Sequence, residues 1–525
     1  MSSLENKEDA LADGSGSGLE KLDLDVVTVD VEVASSNAKV GWMRRLATWG
    51  VEERGIVPVP LEERTDEQYS KLCFVWFSSN LTILTFSIGT LGPVIFDLGL
   101  RDSCLVILLF NLFCTIFPAY FSTWGAHLGM RQMTLSRYSF GYYGVIVPCV
   151  LNLLGIIGFC TLNCILGGQA LASVTDGRLS WTIGIVIFTV MSVIVSFFGY
   201  KFLHWFERVA WIPVLIGFII AAGVGGKHLT NLPPTPPATA AGILGFVGQQ
   251  AGFMITWSGY SADYGAYLQP KGSSWKVFTY AYLGLFLPNV WRLSLHTVVF
   301  QSDDSLFLQI FVQSFGVAVA IAATTIPSWN DGFAGGNVGG LIEAIYQPLG
   351  NFGKFLTVIM SLSVAPNLVS IFYSASLNYQ VIVPRLFVVP RYIFTLLTAA
   401  IVLPLAIVGA HRFDAAITNF LGLIGYWASA YVIILLIEHF YFRSNKFSNY
   451  DLDIWNDPKR LPWGLAALGA GVLSFALVIP CMSQVWFTGP LAKKTGDLGF
   501  EVALVLSGIL YPPLRWLEIK SMGHI

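Results

Sequence analysis

After its first seventy residues the chain settles into long apolar runs parted by short polar stretches. A hydrocarbon core about 30 Å thick takes about 20 apolar residues of helix to cross. On that criterion spans are predicted at 72–97, 103–126, 143–173, 180–199, 203–224, 243–267, 277–300, 352–378, 391–410, 414–440, 462–484 and 499–515. Twelve spans put both ends on one side. Basic residues choose the side. Loops on the N-terminal side hold eleven (Arg131, Arg137, Lys201, Lys271, Lys276, Arg385, Arg391, Arg443, Lys446, Lys459 and Arg460), against six opposite (Arg101, Arg178, Lys227, Arg412, Lys493 and Lys494), which predicts cytoplasmic termini.

Spans one and six are the two most interrupted by glycine. Span six carries FMITWSGYSADY at 253–264, with Gly252 and Gly259 on either side of Trp257, and Tyr260, Ser261 and Asp263 beyond. Span one reads WFSSNLTILTFSIGTLGP, with Gly89, Gly92 and Pro93 expected to break it. Backbone freed by a break cannot face lipid, so broken helices line a cavity or are buried in protein. Similar breaks in corresponding positions of two five-helix halves mark an inverted-repeat transporter with its site at the midplane. The predicted architecture is all-α: a disordered cytoplasmic tail at 1–70, an inverted-repeat core at 71–440, and two further helices with a short cytoplasmic end at 441–525.

Composition agrees with a polytopic membrane protein: 54% apolar, mean hydropathy +0.65, and 12% charged, against about 25% in ordinary soluble domains. The net charge of -2 gives no footprint for nucleic acid. Residues 1–40, rich in Asp, Glu, Ser and Gly, bury too little apolar surface to fold. No cleavable signal opens the chain, so the first span is expected to direct insertion. The seven cysteines lie scattered through apolar segments and read as buried thiols. Cys160 and Cys164 are one helical turn apart without a His or acid beside them, so no metal is expected. With no Gly-rich phosphate loop and no nucleophile motif, neither an enzyme nor a cofactor is predicted. A glycosylation acceptor at Asn80-Leu81-Thr82 falls inside span one and is set aside.

Several side chains stand out at membrane depth. Trp257 is a candidate platform for a stacked ring; a tryptophan packed between helices is the other reading. Ser78, Thr82, Thr85 and Gly89 recur at spacings of 4, 3 and 4, one polar face of a helix, which faces either a ligand or a neighbouring helix. Span five opens with His204, Trp205, Glu207 and Trp211. A carboxylate in a transmembrane helix is a functional hypothesis by default, commonly a proton relay. Its alternative is an interfacial ion pair with the adjacent Arg208.

Seven strings taken together resemble the fungal purine-cytosine permeases of the nucleobase-cation-symport-1 family. They are GVEERGIVPVPLEERTD at 50–66, TFSIGTLGP at 85–93, GMRQMTLSRYSFG at 129–141, NCILGGQAL at 163–171, the 257–264 stretch, VPRYIFT at 389–395 and FLGLIGYWASAY at 420–431. The resemblance spans about residues 50–515 and implies a LeuT-like core carrying out proton-coupled uptake of cytosine and purine bases across the plasma membrane. It assigns substrate contacts to Thr85 or Ser79 in span one, to Asn163 in span three and to Asn367 in span eight. Asn163 offers an acceptor and two donors, which suits the mixed edge of a nucleobase. Trp257 and Phe159 would clamp the ring, Phe159 standing where relatives often carry tryptophan. Glu207 would couple the proton, and Asp263 and Tyr260 would edge or gate the site.

The chain departs from the family pattern twice. Span eight has Ser363 and Val364 where relatives carry two asparagines, which puts ligand identity in doubt and keeps another small heterocycle such as vitamin B6 open. A non-transporting nutrient sensor is the reading from a different class. In span seven NVWRLSLHTVVFQSDDS, Asn289 to Ser305, intervenes before LFLQIFVQSFGVAVA. It carries Arg292 and His296 into what should be a lipid-contacting helix. Either these residues have a function peculiar to this chain, or the insert is translated from unspliced RNA, the reading preferred here.

Overall fold

The computed structural model describes residues 55–523, except 176, 197–199, 271, 289–311 and 390. It is built almost wholly of helix. The first span is two helices, α1 (Ser70–Asn80) and α2 (Ile83–Ile95), bent by 54°. Then come α3 (Leu100–Cys114) and α4 (Ile116–Leu128), joined at Thr115, followed by α5 (Ile146–Ser173), α6 (Trp181–Ser196) and α7 (Tyr200–Leu229). In the second half α8 (Ala240–Ile255) gives way to two 3-10 turns, Thr256–Gly259 and Ser261–Tyr264. Beyond them lie α9 (Ser274–Phe286), α10 (Val312–Ala323), α11 (Pro327–Phe333), α12 (Val338–Tyr346), α13 (Asn351–Leu362), α14 (Ala365–Ile382), α15 (Arg391–Gly409) and α16 (Phe413–Ile437). The chain ends with α17 (Leu465–Cys481), a two-stranded hairpin of β1 (Ser483–Gln484) and β2 (Phe487–Thr488), and α18 (Gly499–Met522). Among the described residues six helices are long and apolar enough to cross a membrane, or up to eight if each bent pair is one span.

The break in the first span falls at Leu81 and Thr82, ahead of the glycines expected to cause it. Thr82 is extended (φ -141°, ψ 163°) and its hydroxyl caps α2 at Thr85 N. The predicted polar face of Ser78, Thr82, Thr85 and Gly89 therefore does not exist, because the four lie on either side of a bend. Gly89 and Gly92 sit inside α2 for a different reason. A Cβ on Gly89 would stand 1.9 Å from Gln313 O, and the facing Gly316 is as tightly set against Phe86 O, so glycine lets α2 and α10 lie backbone to backbone. The second break does fall beside Trp257. There Gly252 packs on the backbone of Leu421 in α16.

Three further differences have local causes. Residues 55–69, read with the tail from their composition, pack on the helices: Val59 is buried, and Arg64 donates from Nε to Val59 O (2.7 Å) and from Nη2 to Leu128 O (2.9 Å). Its burial lowers the pKa of that guanidinium from the usual value. The region predicted as one span at 277–300 holds α9, and the next described residues form α10; the insert 289–305, with the rest of 289–311, lies outside the described residues. The amphipathic pair α11 and α12, which apolar length alone cannot reveal, joins α10 to α13, and Gly339 of α12 sits against the backbone of Ala170 in α5. All seven cysteines are free thiols, six of them buried.

Candidate functional site

Bending a helix in mid-membrane strands backbone groups, and here side chains from neighbouring helices take them up. At the first break Asn80 O accepts from Thr85 Oγ1 (2.5 Å), Ile83 N donates to Ser363 Oγ (3.1 Å), and Ser79 O accepts from Asn367 Nδ2 (2.8 Å). At the second, Gly259 O accepts from Asn152 Nδ2 (3.2 Å) and Asp263 O from Arg131 Nη1 (2.7 Å). Span eight supplies two of these partners because Pro366 stands at the start of α14, where a missing N–H costs nothing, leaving Asn367 on its first turn.

From those contacts a buried hydrogen-bonded chain emerges. Asn163 Nδ2 donates to Asn367 Oδ1 (2.9 Å), and Asn367 Nδ2 holds Ser79 O. Ser79 Oγ lies 3.3 Å from Ser370 Oγ, which donates to Glu207 Oε1 at 2.6 Å. Five residues from four helices are thus linked, the Asn367 bond going to the main-chain carbonyl of Ser79, and Asn163, Asn367, Ser79 and Glu207 were all expected from sequence. Ser370 was not. Its signal was its place three residues after Asn367, on the same face of α14. Arg208, the alternative partner for Glu207, donates instead to Gln68 Oε1 (3.2 Å). The side chains of His204 and Trp205 lie outside the described residues.

The aromatic candidates occupy two groups. Trp257 is 2% exposed and meets Trp76 edge-on (centroids 5.2 Å apart, 79°) and Tyr260 at 5.4 Å. Phe159 meets Phe420 of α16 edge-on at 5.0 Å and Phe253 at 6.3 Å. Trp76 and Phe420 are partners that sequence reasoning missed. Trp257 Nε1, Trp76 Nε1, Tyr260 Oη and Asn163 Oδ1 are buried without a hydrogen-bond partner. An orphan of this kind costs about 1–3 kcal/mol, and these four lie on or beside the two breaks, among other unpartnered buried polar atoms elsewhere in the bundle.

The remaining candidates are committed to the scaffold. The Thr85 hydroxyl, a proposed substrate contact, bridges the first break. Asp263 Oδ1 accepts from Gln132 N (2.8 Å), and Gln132 Nε2 in turn donates to the Tyr431 hydroxyl (3.2 Å), so this acid ties the end of the second break to the 131–136 segment and α16. Among the described residues no group of three or more His, Cys, Asp or Glu could hold a metal ion.

A bundle with two broken helices whose freed backbone is satisfied from within defines a membrane transporter, not an enzyme. Residues 58–503 match the family model described as a permease for cytosine/purines, uracil, thiamine and allantoin. The chain belongs to that family. It is 35% identical to the purine-cytosine permease fcyB of Emericella nidulans, over 93% of each chain. It is 26% identical to the vitamin B6 transporter TPN1 of Saccharomyces cerevisiae, over 93% of this chain and 91% of the relative. Among solved structures it superimposes on Mhp1, a nucleobase-cation-symport-1 family transporter in a closed conformation with bromovinylhydantoin bound. The TM-score is 0.63, with 16% identity, over 89% of this chain and 96% of that one. The fold is therefore the LeuT-like inverted-repeat one.

Proposed function

We propose that this chain is a proton-coupled importer of nucleobases, of the cytosine, adenine, guanine and hypoxanthine class, working by alternating access. In this reading it sits in the plasma membrane with twelve spans and cytoplasmic termini. The observation that carries the proposal is the buried chain from Asn163 through Asn367, Ser79 and Ser370 to Glu207, which joins a pair of amides suited to a base edge to a carboxylate suited to a proton. Asn163 and Asn367 read the edge. Trp257 and Phe159 hold the ring faces, and the indole N–H and the Tyr260 hydroxyl add donors around it. Rigid movement of one half against the other would open the site to each side in turn.

A second reading within the family, vitamin B6, is favoured by Ser363 and Val364. Ser363 Oγ caps α2 at Ile83, so the side chain present there serves the break and an amide that relatives would offer is missing. Uptake of a panel of labelled bases, in cells lacking endogenous permeases, tests both. Saturable cytosine or adenine uptake, driven by an inward proton gradient and unaffected by excess pyridoxine, is the expected result. Uptake of pyridoxine alone would install the second reading. Binding of a base without uptake would favour a sensor.

A further inference from the structure

We propose that Gly155 sets the ring size of the ligand, keeping open the space in which the five-membered ring of a purine lies beyond the six-membered ring held by Phe159 and Trp257. The inference rests on the nucleobase reading above and adds which bases the site is shaped to take.

The observation is open space at a buried glycine. At Gly89, Gly252 and Gly316 an added Cβ would run into the backbone of a neighbouring helix, so those glycines serve close packing. Gly155 is buried within α5, and a Cβ there would meet no side chain and no other element within 4 Å. Protein interiors leave few voids larger than a water molecule. A glycine also weakens a helix relative to alanine. Close packing therefore does not account for Gly155, whereas a space kept for something else does.

Contacts on either side of the glycine locate that space. With 3.6 residues per turn, Asn152, Gly155, Phe159 and Asn163 fall within about a quarter of a turn of one another. Asn152 Nδ2 donates to Gly259 O (3.2 Å), and the Phe159 ring meets Phe253 with centroids 6.3 Å apart. As α5 runs from 152 to 159, the facing chain runs back from 259 to 253, and Gly155 comes level with Thr256 and Trp257 at the second break. Asn163, further along the same face, bonds Asn367. Along the axis Gly155 lies about 6 Å from Phe159 and about 12 Å from Asn163. A base whose edge meets Asn163 and whose ring lies on Phe159 thus points its far end at Gly155, and a one-ring base stops short of it. Trp257 Nε1 and Tyr260 Oη, at this level, are buried without a partner. The five-membered ring of a purine offers one bare nitrogen and one N–H, which suit an indole N–H and a hydroxyl.

The test is uptake of labelled adenine and cytosine by the full chain, in cells lacking endogenous permeases, for the wild type, Gly155→Ala and Gly155→Val, with thermal unfolding followed in parallel. The ratio of the adenine KM to the cytosine KM is expected to rise about threefold in Gly155→Ala and at least about tenfold in Gly155→Val, the scale on which a pocket distinguishes ligands by a methylene. Gly155→Ala is expected not to lower the unfolding temperature, because alanine favours the helix and has room. An unchanged ratio in Gly155→Val, whether both bases are kept or lost together, overturns the inference. Should that variant fail to reach the membrane, an unchanged ratio in Gly155→Ala overturns it equally. A wild type that carries cytosine but no adenine overturns it and leaves the nucleobase reading standing. A wild type that carries neither base removes that reading itself.

Discussion

Glu207 in α7 and Glu438 just past α16 are both carboxylates buried deep in this chain, one beside a serine hydroxyl and the other between two guanidinium groups. Glu438 is clamped: Arg515 reaches it through Nε and Nη2 at 3.1 Å each, Arg443 Nη2 stands at 3.1 Å, and the Tyr511 hydroxyl donates at 2.8 Å. The cluster continues through Glu518, which takes Arg515 Nη1 and caps α17 at Leu465 N. Glu207 receives a serine hydroxyl that leads on to the amides. Neutralising an acid clamped by two guanidinium groups leaves buried cations uncompensated. A hydroxyl can turn and become the acceptor. The first arrangement suits a fixed joint among α16, α17 and α18, and the second leaves the serine hydroxyl able to follow the charge assigned to Glu207 in the proposed function.

The largest expected effect lies in the clamp. Glu438→Gln should cost about 3–5 kcal/mol, as removal of one partner from a buried ion pair does, and should abolish delivery to the membrane. Surface labelling and size-exclusion profiles check it; a delivered, monodisperse variant would make the clamp dispensable. Asn163→Ala should do the opposite, abolishing uptake while surface expression stays intact. Normal transport kinetics in that variant would take Asn163 out of the site. A smaller effect is expected at Trp257. Ring stacking worth on the order of 1 kcal/mol makes Trp257→Ala raise the apparent KM roughly fivefold, with Trp257→Phe partly tolerated. Because the indole also packs on Trp76, thermal stability must be followed in parallel. Equal loss of uptake in both variants with poor delivery would assign Trp257 to packing.

Much of the site was legible in the sequence because polar residues at membrane depth are few. Asn163 and Asn367 stood out as amides within apolar spans and Glu207 as a carboxylate in one, and the structure connects them. What was not legible depended on contact rather than composition. Gly89 looked like a breaker but is a contact residue for α10, whereas the actual bend at Leu81 and Thr82 has no glycine or proline. Ser370 looked like any helix serine, since only its neighbours reveal a link between two candidates. The Glu438 cluster was hidden by distance along the chain, with Arg515 seventy-seven residues away. Residues 55–69 read as tail because their anchor, Arg64, works through carbonyls that any sequence would supply.

The smallest expected effect concerns Ser363, where this chain departs from its family's pattern. If Ser363 belongs with the scaffold, Ser363→Ala loses one bond to Ile83 N, worth about 0.5–1.5 kcal/mol. It should lower the unfolding temperature by a few degrees, with the order of competing bases unchanged. The alternative is that a hydroxyl at this depth still helps read the ligand, as an asparagine would. Competition by cytosine, adenine and pyridoxine in Ser363→Ala decides, because a polar group left unpaired on one substrate and not another changes selectivity by far more than it changes stability. A reordered series would place Ser363 in the Glu207 region's recognition chain. An unchanged series with a lowered unfolding temperature would leave it with the elements that only hold the bend.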